Sequence, residues 1–206
     1  MTRANTRHIS GMLQLASQVD ILDGIHWYQR AYDLAVKFIH AYEGLTMGQA
    51  VGVISALSPN NKWERNCIDA EAMIKTWHIG GDYNAIKVCT FNNNKRKAID
   101  ILSLDMESVD AEAIPNILSG QKVVAFYRSI MGDKNAVCVD GHAYAIFIGE
   151  RIATSRTPSI TPKLFETIQR AYQLVSKRSV ELCGVELSPT QVQAVTWVTY
   201  RRLIKG

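Results

Sequence analysis

Apolar residues recur at intervals of three and four along most of this 206-residue chain, and the runs end at glycine or proline. That spacing lays one apolar stripe along a helix; a strand would need a period of two. The firmest run starts at His26 and carries Trp27, Ala31, Leu34, Ala35, Phe38, Ile39 and Tyr42, with Gly44 as its stop. Residues 1–22 offer only a short helix through Met12, Leu13 and Ala16. Thr46-Met47-Gly48-Gln49 reads as a capping box. The helix it opens, through Val53, Ile54 and Leu57, is apolar nearly all round and is predicted to be buried.

Pro59 disfavours helical geometry in Ser58, so Ser58-Pro59-Asn60-Asn61 is a break. The next helix carries Trp63, Cys67, Ala70, Met73, Ile74 and Trp77 and stops at Gly80-Gly81. Asn93 or Asn94 would cap a helix through Ala98, Ile99, Ile101 and Leu102. Thr161-Pro162 starts another, with proline where an N–H needs no partner, and Leu164, Phe165, Ile168, Ala171, Tyr172 and Val175 form its stripe. Ser188-Pro189-Thr190-Gln191 is a second capping box, opening a final helix with Val192, Val195, Val198 and Leu203 on one side. Trp63, Trp77 and Trp197 are read as core. With no repeat, low-complexity tract or linker, the predicted fold class is all-α.

An apolar fraction of 47% with 20% charged residues describes an ordinary globular chain, long enough for one substantial core or two small lobes sharing a groove. No apolar run is long enough to span a membrane, and Arg3, Arg7 and His8 are not followed by a signal-peptide core. Cys67, Cys89, Cys138 and Cys183 are scattered and form no CxxC, which points to a reducing, cytoplasmic location without structural zinc. The net charge is +4. Residues 150–206 hold nine Lys/Arg against four Asp/Glu, whereas residues 1–149 hold fourteen against fifteen. A basic C-terminal portion suits a polyanion, since neutralised phosphates release their counterions.

Chemistry concentrates between Asn116 and Ala143. A small-residue turn, Leu118-Ser119-Gly120, leads into a helix bearing Lys122, Val123, Phe126, Tyr127 and Ile130, which Gly132 stops. Ala136 to Val139 then deliver Asp140 to the start of a helix through Ala143, Ile146 and Phe147 that ends at Gly149. An amine and a carboxylate thus lie near two helix N-termini. Asp140 suits an N-cap, where it also complements the helix dipole. Lys122 alone would be a solvated first-turn lysine.

Gly120-Gln121-Lys122 and Val139-Asp140-Gly141-His142, at this separation, resemble the hairpin-lysine and aspartate segments of the helix-hairpin-helix DNA glycosylases, the endonuclease III family. Leu118 stands where the family hairpin has its first glycine. Ile54 to Pro59 is similar to that family's Ser-Ala-Gln loop, and Asn94 to Ile99 to its Asn-Ser-Lys-Ala segment, so the likeness covers roughly residues 27–149. It implies a two-lobed helical fold, with residues 46–140 as one lobe and 1–45 plus 141–206 as the other.

The implied activity is cleavage of the N-glycosidic bond of a damaged or modified base in DNA. Asp140 would stabilise the positive charge that builds on the sugar. Lys122, once desolvated, would attack the sugar carbon and add strand cleavage. Ser119, Gly120 and Gln121 would grip a DNA phosphate, or form an ordinary helix–helix turn. Asn60, Asn61 and Lys62 would enter the gap left by a flipped base, or form a solvated turn. Lys95, with Arg96 and Lys97, would be a basic cap with a phosphate role, while His142 and Tyr144 would line the pocket. The implied partner is double-stranded DNA with one nucleotide flipped, bound by a monomer. No iron–sulfur cluster is expected, as the four-cysteine tail is missing before Gly206, and a monovalent cation in the hairpin is left open. Two other functions fit the same residues: a phage-type hypermodification enzyme joining an amine or amino acid to an activated thymine, and a non-catalytic DNA-binding module.

Overall fold

A computed structural model describes residues 5–105, 111–153 and 156–205, which hold helices and turns and no strand. The helices are α1 (Arg7–Gln14), α2 (Gln18–Ala41), α3 (Met47–Leu57), α4 (Trp63–His78), α5 (Asn92–Leu102) and α6 (Ala113–Leu118). There follow α7 (Gln121–Ile130), α8 (Gly141–Ile148), α9 (Pro162–Ser176), α10 (Ser179–Cys183) and α11 (Pro189–Lys205). No described helix is long and apolar enough to cross a membrane. Contacts divide the chain into two compact units, residues 31–131 and residues 1–30 with 132–206, so α2 contributes to both. The family likeness drew its lines at 45/46 and 140/141; here Asp140 lies inside the second unit.

The 31–131 unit is built around α3, in which every residue from Gln49 to Leu57 is buried. The expected capping box is formed, the Gln49 amide N–H reaching the Thr46 hydroxyl at 3.2 Å and the Thr46 N–H reaching Gln49 Oε1 at 3.1 Å. Gln49 also spans to α5: its Nε2 donates to the carbonyls of Ile101 and Leu104, each at 3.3 Å, groups a helix end otherwise leaves unpaired. Gly52 is where α5 and α6 close on α3, since a Cβ there would lie 3.0 Å from Ile114 Cγ2 and 3.1 Å from Ile101 Cγ2. The start of α5 departs from expectation. Its N-cap is Phe91, with no side-chain cap, and Asn92 to Asn94 lie inside the first turn. Asn94 instead donates to Thr90 Oγ1 at 2.8 Å, and Thr90 donates to the Pro59 carbonyl at 2.8 Å.

In the other unit α1 packs on α8, α9, α10 and α11, and α11 on α8 and α9. Thr161 caps α9 and Ser188 with Gln191 closes the box at α11, both as the sequence indicates. The long helix α2 begins at Gln18, well ahead of His26. The reason is local: Ser17 and Asp20 cap reciprocally, the Ser17 N–H reaching Asp20 Oδ2 at 2.8 Å and the Asp20 N–H reaching Ser17 Oγ at 3.2 Å.

Asp20 is 3% exposed and also receives Arg202, whose Nη2 lies 2.7 Å from Oδ2. Burial works to raise its pKa, but the Arg202 guanidinium and the two Ser17 donors outweigh this and hold it below the ordinary 3.8. A carboxyl lowered on folding adds stability that is complete above its unfolded pKa and disappears as pH falls through the folded one. The thermal midpoint is therefore expected to drop as pH is taken below about 4. Asp20→Asn should flatten that acid limb; a limb of unchanged slope would remove Asp20 from the account.

The four cysteines are free thiols. Burial, aided by the Glu64 carboxylate, pushes the Cys67 thiol up to about 11, so it is a poor nucleophile at neutral pH.

Candidate functional site

Asp140 is brought to its place by buried chain on one side and a helix start on the other. Val137, Cys138 and Val139 are buried, at 0%, 7% and 1% exposure. The turn before them is pinned to α11 by Thr190, whose hydroxyl reaches the Ala136 carbonyl at 2.6 Å and the Asp133 carbonyl at 2.9 Å. Asp140 then turns extended, at φ −92° and ψ −175°, and caps α8. Its Oδ1 accepts the Ala143 N–H at 2.8 Å, the bond expected of an N-cap. Its Oδ2 accepts the indole N–H of Trp197 at 3.2 Å. The side chain is half-buried.

Aromatic rings gather round that carboxylate. Trp197 stands edge-on to Trp27, with centroids 5.8 Å apart, and to His142 at 6.3 Å. His142 lies 5.5 Å from the Tyr200 ring. The Arg201 guanidinium sits 4.4 Å above Trp197, a cation–π contact. Tyr172 is fully buried nearby: burial drives its phenol far above the ordinary range, Thr196 offsets part of this, and the Asp140 charge adds to it. His142 Nδ1 and the Tyr200 hydroxyl are buried without a hydrogen-bond partner.

The hairpin belongs to the other unit. α6 ends at Leu118, and Ser119 and Gly120, at φ +47° and +73°, turn the chain into α7. Gly120 supplies positive φ at little cost; Ser119 adopts it against the usual preference of L residues. What holds the turn is Lys97. Its ammonium donates to the Leu118 carbonyl and, at 2.6 Å, to Ser119 Oγ. The first turn of α7 then points backbone N–H groups toward the hairpin, the arrangement that suits an anion. Lys97→Met is expected to cost about 1 kcal/mol. It should also speed hydrogen exchange at Val123 and Val124, whose amides bond the Gly120 carbonyl at 3.2 Å. Unchanged exchange there would show that the lysine does not brace the turn.

The remaining expected positions are placed as follows. Ser119, Gly120 and Gln121 are exposed and Lys122 is half-buried. Lys122 and Asp140 fall in different units. Lys95 is half-buried and donates to the Ile86 carbonyl at 2.5 Å. Asn60 and Lys62 are exposed, Asn60 with φ +56°. Asn61 is held inward, its Nδ2 reaching Asp69 Oδ2 at 3.1 Å and the Leu57 carbonyl at 3.3 Å. Tyr144 is half-buried on α8.

Residues not foreseen as site members carry much of this geometry. Trp197, expected in the core, is half-buried and holds Asp140. Asp69, only 1% exposed, gathers Asn61, the Arg65 Nε at 2.8 Å and the Cys89 N–H at 2.7 Å, tying two loops together. A carboxylate four positions after Arg65, on a helix with an apolar stripe, was the available signal. Arg201 had a similar one, one turn after Trp197. Among the described residues no group of His, Cys, Asp and Glu could hold a metal ion.

The fold and site define an all-α protein with a helix-capping carboxylate set among aromatic rings, and a lysine-braced hairpin in its other unit. The chain belongs to the family of unknown function DUF7178, whose model matches residues 1–203. No curated protein and no solved structure matches it.

Proposed function

We propose that this protein is a DNA glycosylase of helix-hairpin-helix type, releasing a damaged or modified base from deoxyribose. The observation that carries the reading is the Asp140 carboxylate. Two N–H donors, from Ala143 and Trp197, fix its two oxygens among rings rather than in open water. A carboxylate has about four acceptor positions, so each oxygen keeps a lone pair for a substrate. Breaking the N-glycosidic bond sends the electron pair to the base and leaves positive charge on the sugar. A held anion stabilises that charge without reorganising at the moment of reaction. The α7 amides and Arg201 are suited to phosphates, the former as a helix start and the latter as a stacked guanidinium.

Water or the Lys122 amine completes the reaction. Borohydride trapping of a protein–DNA adduct separates the two, because only the amine forms a reducible Schiff base with the sugar. The decisive experiment incubates the protein with duplexes carrying natural, deaminated, oxidised, alkylated and hypermodified bases and reads the products by mass. Abasic sites are the expected result. A heavier nucleoside would replace this reading with a base-modifying transferase. Salt-sensitive binding with no covalent change in any DNA would leave a binding module.

A further inference from the structure

Within the unit of residues 1–30 and 132–206, α1, α8 and α11 border an open groove of about 540 Å³. That volume is in the range, about 300–1,000 Å³, of small-molecule sites. Met12 of α1, Leu15 just after it, and Ala145 and Ile146 of α8 are its apolar lining. The lining carries two cationic side chains, Arg7 and Arg151, against a single Glu150. Arg151 is positioned there by α11, its Nη2 donating to the Ile204 carbonyl at 2.7 Å. His8 is likewise fixed, its Nδ1 lying 3.2 Å from the Phe147 carbonyl and its ring packed on Gly149 so closely that a Cβ there would fall 2.5 Å away.

Tyr200 and Gly11 complete the lining. Tyr200 is only 6% exposed, and its hydroxyl has no hydrogen-bond partner. A Cβ built on Gly11 meets nothing within 4 Å, so the absent side chain leaves open room in mid-helix.

We propose that this groove binds a small organic anion with an apolar body and a single acidic group, such as a carboxylate or phosphate ester. The tail lies against Met12, Leu15 and Ile146, and the acid pairs with Arg7 and Arg151. This binding does not depend on the proposed base-release chemistry, although Tyr200 borders both groups of residues.

The test is calorimetric titration of the whole chain with octanoate, octyl phosphate, octylammonium and 1-octanol, all below their aggregation concentrations. The two anions are expected to bind saturably at one site per chain, and octylammonium and octanol at least about tenfold more weakly. Gly11→Leu fills the open room and is expected to abolish anion binding. Arg7→Glu, an exposed change at the start of α1, should weaken it at least about tenfold while leaving the circular dichroism spectrum unchanged. Absence of saturable anion binding, equal binding of octylammonium, or unaltered binding in folded Arg7→Glu would each overturn the proposal.

Discussion

Asp140→Asn is expected to slow base release by about a thousandfold while the protein stays folded and still binds DNA. The substitution separates the two jobs of this side chain. Asparagine is as good an N-cap as aspartate, and its single carbonyl oxygen can keep the Ala143 N–H, which now sits at 2.8 Å. The other oxygen becomes an NH2 group facing the Trp197 indole N–H, now a 3.2 Å donor to Oδ2. Donor against donor costs about 1 kcal/mol, a modest part of the stability of a domain this size. The charge is the large loss, because in the proposed reaction it is the carboxylate that stabilises the cationic sugar. Single-turnover base release on the best duplex, with circular dichroism beside it, reads both effects. A folded Asp140→Asn protein releasing base at the wild-type rate would remove Asp140 from the chemistry.

How much of this was readable from residue order depends on how far apart the interacting groups lie. Devices that close within four residues were legible: the boxes at Thr46 and Ser188, the proline start at Pro162 and the cap at Asp140. The early start of α2 was encoded in the same way, by Ser17 and Asp20, but Gln18 to Gly24 lacks a clean apolar stripe to draw attention to it. At α5 the order misled, because three asparagines in a row offer a cap at each position while packing and the Thr90 bond chose Phe91. Partners remote in sequence left no trace. Trp197 reaches Asp140 across 57 positions, and Lys97 reaches Ser119 across 22. Tryptophan in a helical stripe reads as core, and only the neighbouring elements show that its N–H is spent on a carboxylate. Lys95 and Lys97 are equivalent as sequence, yet one secures the Ile86 carbonyl and the other the hairpin.

The same distance effect hides the position expected to be most sensitive in the fold. Gly24 is an unremarkable helix-interior glycine by sequence, and alanine there would ordinarily gain about 1 kcal/mol of helix propensity. Here α2 passes α11 so closely that a Cβ on Gly24 would lie 2.5 Å from Val195 Cα and 2.6 Å from both its amide nitrogen and Cγ2. Carbon atoms in favourable contact are about 3.5–4.0 Å apart, so the helices must separate by roughly 1 Å to admit one methyl. Separation also strains the neighbouring Asp20–Arg202 pair, which joins the same two helices. Overpacking costs about 1–3 kcal/mol where side chains can yield, and backbone cannot, so a net loss of about 3 kcal/mol is expected despite the propensity gain. For a chain of this length that lowers the thermal midpoint by roughly 6–12 °C. A second variant isolates the cause: in Gly24→Ala/Val195→Ala the Cγ2 clash is gone but the Cα and nitrogen contacts remain, so little stability should return. Full recovery in the double variant would mean the obstacle is the valine side chain, and a Gly24→Ala protein as stable as wild type would mean that the two helices do not approach this closely.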